Sequence, residues 1–203
     1  TSKITTTVQT TTTQQVSIAN ETAVSTTSSG TSAAQATAAA SSSQNQSKYE
    51  ANVANVASVA GKMDNRVIAA YQQLGFKLVV DPSVNYSGYF DARSRSITMK
   101  QIDDSVYHEL GHFLAFIAGN VDKTASFQSI FAAEKANVTA FNKAYVTQNA
   151  SEYFAESVKD YILNNASLKS TRPQTYAAVQ NALNQITDAQ IAKIQKIYGA
   201  FWN

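Results

Sequence analysis

The sequence predicts an α+β domain preceded by a low-complexity segment. Three observations carry this expectation. The composition breaks near residue 47, short strand-like runs cluster between residues 76 and 100, and helical periodicity covers most of the chain after Asp103.

Residues 1–47 are mostly Thr, Ser, Ala, Gln and Asn, with Lys3 and Glu21 as their only charges and no aromatic residue before Tyr49. Such a segment cannot bury enough apolar surface to offset its ordering entropy. It reads as a stalk or linker of a secreted or cell-surface protein. The domain is expected over 48–203. It opens with an N-terminal helix, because Val53, Val56, Val59, Met63, Val67, Ala70, Tyr71 and Leu74 follow helical spacing up to Gly75. Phe76 to Val80 is a short strand closed by Asp81-Pro82. Tyr86 to Asp91 and Ser96 to Lys100 read as two more strands, joined through Ala92-Arg93-Ser94-Arg95 in a hairpin. Helical patterns follow near 104–118, 124–136, 138–146, 151–165, 173–184 and 188–199.

The bulk numbers exclude several functions. A net charge of +2 and a pI near 8.7, with no basic run, give no electrostatic argument for nucleic acid or an anionic membrane. No apolar stretch is long enough to span a bilayer. The absence of cysteine rules out disulfides, thiolate ligands and a cysteine nucleophile. With no initiator Met and no signal-peptide pattern, the chain reads as trimmed to a mature form.

Chemistry concentrates in His108-Glu109-Leu110-Gly111-His112, an H-E-x-x-H motif that contains the chain's two histidines. On a helix, positions i and i+4 stack both imidazoles on one face. Both can then reach one Zn²⁺ per chain, with Glu109 beside it as a general base. The context agrees. Asp103, Asp104 and Ser105 can cap a helix, Val106, Leu110, Phe113, Leu114 and Ile117 give it a buried face, and Gly119-Asn120 can stop it.

A catalytic zinc takes a third protein ligand and keeps one position open. Without further His or Cys, that ligand must be Asp or Glu; position 118, where a third histidine could follow, is Ala. The downstream candidates are Asp122, Glu134, Glu152, Glu156, Asp160 and Asp188. Asp122 reads as a turn residue, Asp188 as a helix cap, and Glu134, beside Lys135, as a solvated charge. Glu152 and Glu156 lie i and i+4 on a helix whose other face is apolar, and either one could face the metal.

These residues together resemble the lethal-factor-like zinc metallopeptidases, a group that includes the anthrax lethal factor catalytic domain and the secreted Pro-Pro endopeptidases. The shared elements are His108 to His112, Tyr145 seven residues before an acidic segment, and that segment, Glu152-Tyr153-Phe154-Ala155-Glu156. Ala125 to Ala132 and Leu168 to Tyr176 are similar to the Pro-Pro endopeptidases as well. The resemblance implies a zincin-like fold: a small twisted sheet with an edge strand above the motif helix, then a helical C-terminal half. It implies a zinc endopeptidase acting on a peptide or protein. His108, His112 and Glu152 are then the zinc ligands. Glu109 activates water, Tyr145 stabilises the oxyanion, and Glu156 orients a ligand histidine. The edge strand implied is Ser96 to Lys100, with Ile97, Thr98 and Met99 pairing with substrate. The chain departs from the Pro-Pro group in its short Tyr86–Ser96 connection, which lacks Trp; its single Trp is Trp202. The competing expectation is a catalytically silent binding or toxin module of the same fold.

Overall fold

The computed structural model describes residues 51–202; the 1–47 stalk lies outside the described residues. The chain is α+β, with a small mixed sheet before a largely helical remainder.

The N-terminal helix expected before Gly75 is replaced by three elements. They are strand β1 (Asn52–Ala54), a one-turn helix α1 (Val56–Val59) and helix α2 (Asn65–Gln73). Two side chains force the breaks. Asn55 accepts the N–H of Ala57 at 2.9 Å, and Asp64 accepts that of Arg66 at 2.9 Å, so each begins a new helix. The apolar spacing is real, but caps inside it reset the helix.

Next come β2 (Lys77–Val80), β3 (Gly88–Asp91) and β4 (Ser96–Met99). The sheet order is β1-β2-β4-β3. β1 and β2 are antiparallel, β2 and β4 parallel, and β3 and β4 antiparallel. This overturns the expectation that Ser96 to Lys100 is the edge strand. β4 is hydrogen-bonded on both sides, pairing Ile97 with Leu78 and with Phe90. Ile97 and Met99 are fully buried in the core. Ile97, Thr98 and Met99 therefore have no free backbone edge to offer a peptide. Among the described residues, β3 pairs only with β4, so the free edge beside the site is β3.

Helix α3 (Ser105–Ile117) carries the motif and packs beneath the sheet. Its start is fixed by Asp103, whose carboxylate accepts the N–H of Ser105 at 2.9 Å. Gly119 and Asn120, with φ of 87° and 58°, turn the chain off its end. Phe76 sits 4.9 Å from Phe113 and Phe90 sits 6.2 Å from Phe113, centroid to centroid, and these rings seal α3 to the sheet. Trp202 closes that core by donating its indole N–H to the Ala92 carbonyl at 2.9 Å.

The remaining helices are α4 (Ala125–Glu134), α5 (Lys143–Val146), α6 (Ala150–Leu163), α7 (Asn165–Thr171), α8 (Pro173–Asn184) and α9 (Asp188–Tyr198). The expected helix over 138–146 shrinks to α5, and α7 is an added helix between those expected over 151–165 and 173–184. Behind α6 lies a buried polar network. Arg172 donates to Ser157 Oγ at 3.0 Å and to Asp160, with its guanidinium 5.5 Å from the Tyr153 ring centroid. The Tyr153 hydroxyl lies 2.7 Å from Thr175 Oγ1. Glu134, expected as a solvated charge, is buried here. It accepts the N–H groups of Gln174 at 3.0 Å and Thr175 at 2.9 Å. A buried carboxylate is tolerated only with such donors, and the N-terminus of α8 supplies them. That places Glu134 on the far side of α6, away from His108 and His112.

Candidate metal centre

Helices α3 and α6 approach backbone to backbone. A Cβ placed on Gly111 would sit 2.7 Å from both Cα and O of Ala155. Only a glycine facing a small residue allows this approach. The contact aligns two i, i+4 pairs, His108 and His112 on α3 against Glu152 and Glu156 on α6. Asn149 starts α6 by accepting the N–H of Glu152 at 2.9 Å, which holds the first turn in shape. Asp122, expected as a turn residue, lies in a 3₁₀ turn and is buried, and it accepts the neighbouring Ser151 hydroxyl.

Glu152 Oε2 lies 3.1 Å from His108 Nε2 and 3.6 Å from His112 Nε2. Glu156 Oε2 lies 2.8 Å from His108 Nδ1. Glu156 is held in turn by Lys159, whose ammonium is 3.4 Å from its other oxygen. Of the carboxylates open in sequence, Glu152 thus faces both imidazoles, and Glu156 faces the rear nitrogen of one. Asp160 pairs with Arg172, and Asp122 is engaged by Ser151.

This donor arrangement fits a cation. An ionised carboxylate only accepts hydrogen bonds, and a neutral imidazole has one N–H. With Nδ1–H donated to Glu156, Nε2 of His108 turns a lone pair toward Glu152. That contact is repulsive unless a proton or a metal ion lies between. His108, His112 and Glu152 offer ligand atoms all within 4.8 Å of one another. Ligands about 2.0–2.1 Å from a tetrahedral zinc stand about 3.3 Å apart, close to the two Glu152 contacts.

The electrostatics express the same crowding. Burial works against charge on His108, but the carboxylates of Glu152 and Glu156 outweigh it and hold the imidazole up at about 9. Glu152 is half-buried, which works against its charge, yet hydrogen bonding to His108 and His112 holds it well below the usual carboxylate range. Burial pushes Glu109 up, opposed by the nearby histidines. Burial and the carboxylates, Glu152 first, push the Tyr145 phenol up to about 12, which keeps it a proton donor at neutral pH.

Tyr145 is half-exposed on the one-turn helix α5, its ring centroid 6.5 Å from that of His108. A cavity of about 350 Å³ opens between it and β3, lined by Gly88, Ser105, His108, Glu109, Asn142 and Tyr145. Sequence reasoning passed over Gly88 and Lys159. A glycine inside a strand pattern was the available signal for the first. Lys159, three residues after Glu156 on the same helix, carries no local signal that separates it from a surface charge.

Residues 92–182 match the family model described as anthrax toxin lethal factor, N- and C-terminal domain. Over 78 residues the chain is 41% identical to the Pro-Pro endopeptidase of Clostridioides difficile (strain 630). That alignment covers 36% of this chain and 34% of the relative, so the chain matches about a third of the relative's length. The matched family segment carries every residue of the site from Ser105 to Lys159, and the resemblance to the lethal-factor group is shown there.

Proposed function

We propose, from the lethal-factor-like similarity carried by residues 92–182, that this chain is a zinc-dependent endopeptidase with a zincin-like fold. The observation that carries the reading is the convergence of His108, His112 and Glu152, with both nitrogens of His108 facing carboxylates. These three residues are the proposed zinc ligands. When bound, zinc supplies Lewis acidity, which polarises a carbonyl and eases deprotonation of water.

The chain's own groups do the rest. Glu109, buried beside the histidines, takes a proton from the attacking water and returns it to the leaving amine. Tyr145, kept protonated, donates to the oxygen that gains charge as the carbonyl becomes tetrahedral. Glu156 accepts Nδ1–H of His108, which fixes the tautomer and aims Nε2 at the ligand cluster. Lys159 occupies the second oxygen of Glu156 and keeps that acceptor in place.

An extended peptide adds antiparallel to the free edge of β3, with main-chain bonds giving affinity and the cavity receiving a side chain. β4, hydrogen-bonded on both sides, cannot take that role. The Thr/Ser-rich residues 1–47 support a secreted or surface-attached context for a domain at 48–203.

The test is a peptide-library cleavage profile with and without chelator, run beside Glu109→Gln. We expect chelator-sensitive cleavage by the wild-type chain. Glu109→Gln should bind zinc equally well and lose about 10³-fold or more in kcat. Zinc binding with no cleavage of any library peptide would support a silent binding module instead. Unchanged cleavage by Glu109→Gln would end the proposed mechanism.

A further inference from the structure

Gly88 opens β3, paired with Met99 across the hairpin. Its backbone does not require glycine, since the left-handed glycines among the described residues are Gly75 and Gly119. The space above it does. A Cβ at Gly88 would stand 2.7 Å from both Cγ and Oε1 of Glu109 and 2.9 Å from its Cδ. All three of these contacts belong to one side chain. Strand alternation puts Gly88 and Phe90 on the face that meets α3 and sends Tyr89 out to solvent. Phe90 anchors that face on Phe113 and Phe116, with ring centroids 6.2 and 6.1 Å away, so β3 cannot lift to make room.

We infer that Gly88 is a positioning residue: by having no side chain, it lets the Glu109 carboxylate lie directly under the edge strand, where water and substrate meet. The inference rests on the proposed role of Glu109. It differs from the role of Gly111 in what a methyl group would strike. At Gly111 the obstacle is the backbone of Ala155, so a methyl there parts two helices. At Gly88 the obstacle is the flexible end of Glu109, so the carboxylate yields while the fold and the ligand cluster stay. A displacement of about 1 Å at a reacting group costs on the order of 10²-fold in rate.

The experiment compares wild type, Gly88→Ala, Glu109→Ala and the double variant, using a fluorogenic peptide chosen from the library cleaved by the wild-type chain. We expect Gly88→Ala to keep wild-type zinc affinity and to lose about 10²-fold in kcat, with KM changed less than about threefold. In the Glu109→Ala background, Gly88→Ala should cost nothing further, because the group it displaces is gone. If Gly88→Ala proves unstable, the same cycle is read in Tm. The loss should disappear once Glu109 is truncated, and an equal loss in both backgrounds would overturn the inference. Wild-type kcat in Gly88→Ala, loss of zinc, or additive losses in rate would also overturn it. Retained cleavage by Glu109→Ala alone would instead sink the assignment of the base.

Discussion

The two halves of the site are built differently. On one side, α3 and α6 meet backbone to backbone and bury His108, Glu109 and Glu156 almost completely. On the other, β3 offers a free edge with Tyr89 exposed, and Tyr145 stands half in solvent on a one-turn helix. In the buried half the side chains engage one another: His108 faces Glu152 and Glu156, and Lys159 holds Glu156. The open half has groups with capacity to spare. This division suits a site in which one wall holds a cation and the other admits a chain. It predicts that substitutions of the wall's ligand-cluster and packing residues change metal affinity and stability, and that substitutions in the rim, like those of Glu109, change turnover.

The largest effect is expected at Glu152. Glu152→Ala should weaken zinc binding by more than the roughly 10–100-fold that loss of an outer carboxylate costs, which is the effect expected of Glu156→Gln. Competition titration of zinc measures both, and the reverse ranking would exchange the two roles. Across the cleft, Tyr145→Phe should lower kcat by about 10²–10³-fold and leave zinc affinity unchanged. A change in zinc affinity there would dissolve the division between wall and rim. Gly111→Ala tests the wall itself. Overpacking against Ala155 should cost about 1–3 kcal/mol of stability and weaken zinc binding in parallel, read by thermal unfolding with and without metal. An unaltered melting temperature would mean that the helices are free to separate.

The smallest effect concerns protons. His108 holds its proton up to about 9, so at neutral pH a metal ion must displace that proton to bind. Zinc affinity should therefore fall as pH drops below about 9. Binding near neutrality should release about one proton, measurable by calorimetry in two buffers of different ionisation enthalpy. The sign for folding of the metal-free chain is opposite. A raised pKa stabilises the fold fully below 6.5, and that contribution fades as pH climbs through about 9.

Much of this centre is legible in local patterns. The i, i+4 spacing puts His108 with His112 and Glu152 with Glu156 whatever the surroundings, because helix geometry is local. The absence of cysteine and further histidine leaves carboxylates as the side chains of this kind that could complete a metal site with the two histidines. The hairpin is legible as well, from its turn and alternation. What was misread depended on partners distant in sequence. Glu134 looks solvated until α8 brings its N-terminus over it. Residues 52–74 follow helical spacing throughout, and the pairing of Val53 with Val79 across the sheet is what makes their start a strand.

The strand order shows the limit most clearly. A hairpin of β3 and β4 presents either strand to the rest of the sheet with the same local sequence. The parallel pairing of Leu78 with Ile97 turns β4 inward and leaves β3 at the edge. Sequence alone determined the donor set available to the site, because two histidines and an i, i+4 carboxylate pair exclude most other sets. Tertiary structure alone decided which carboxylate faces the imidazoles, which strand is free, and why residue 88 has no side chain. Those outcomes follow from packing between elements far apart in the chain, where a single contact such as Gly111 on Ala155 sets the spacing for all the others.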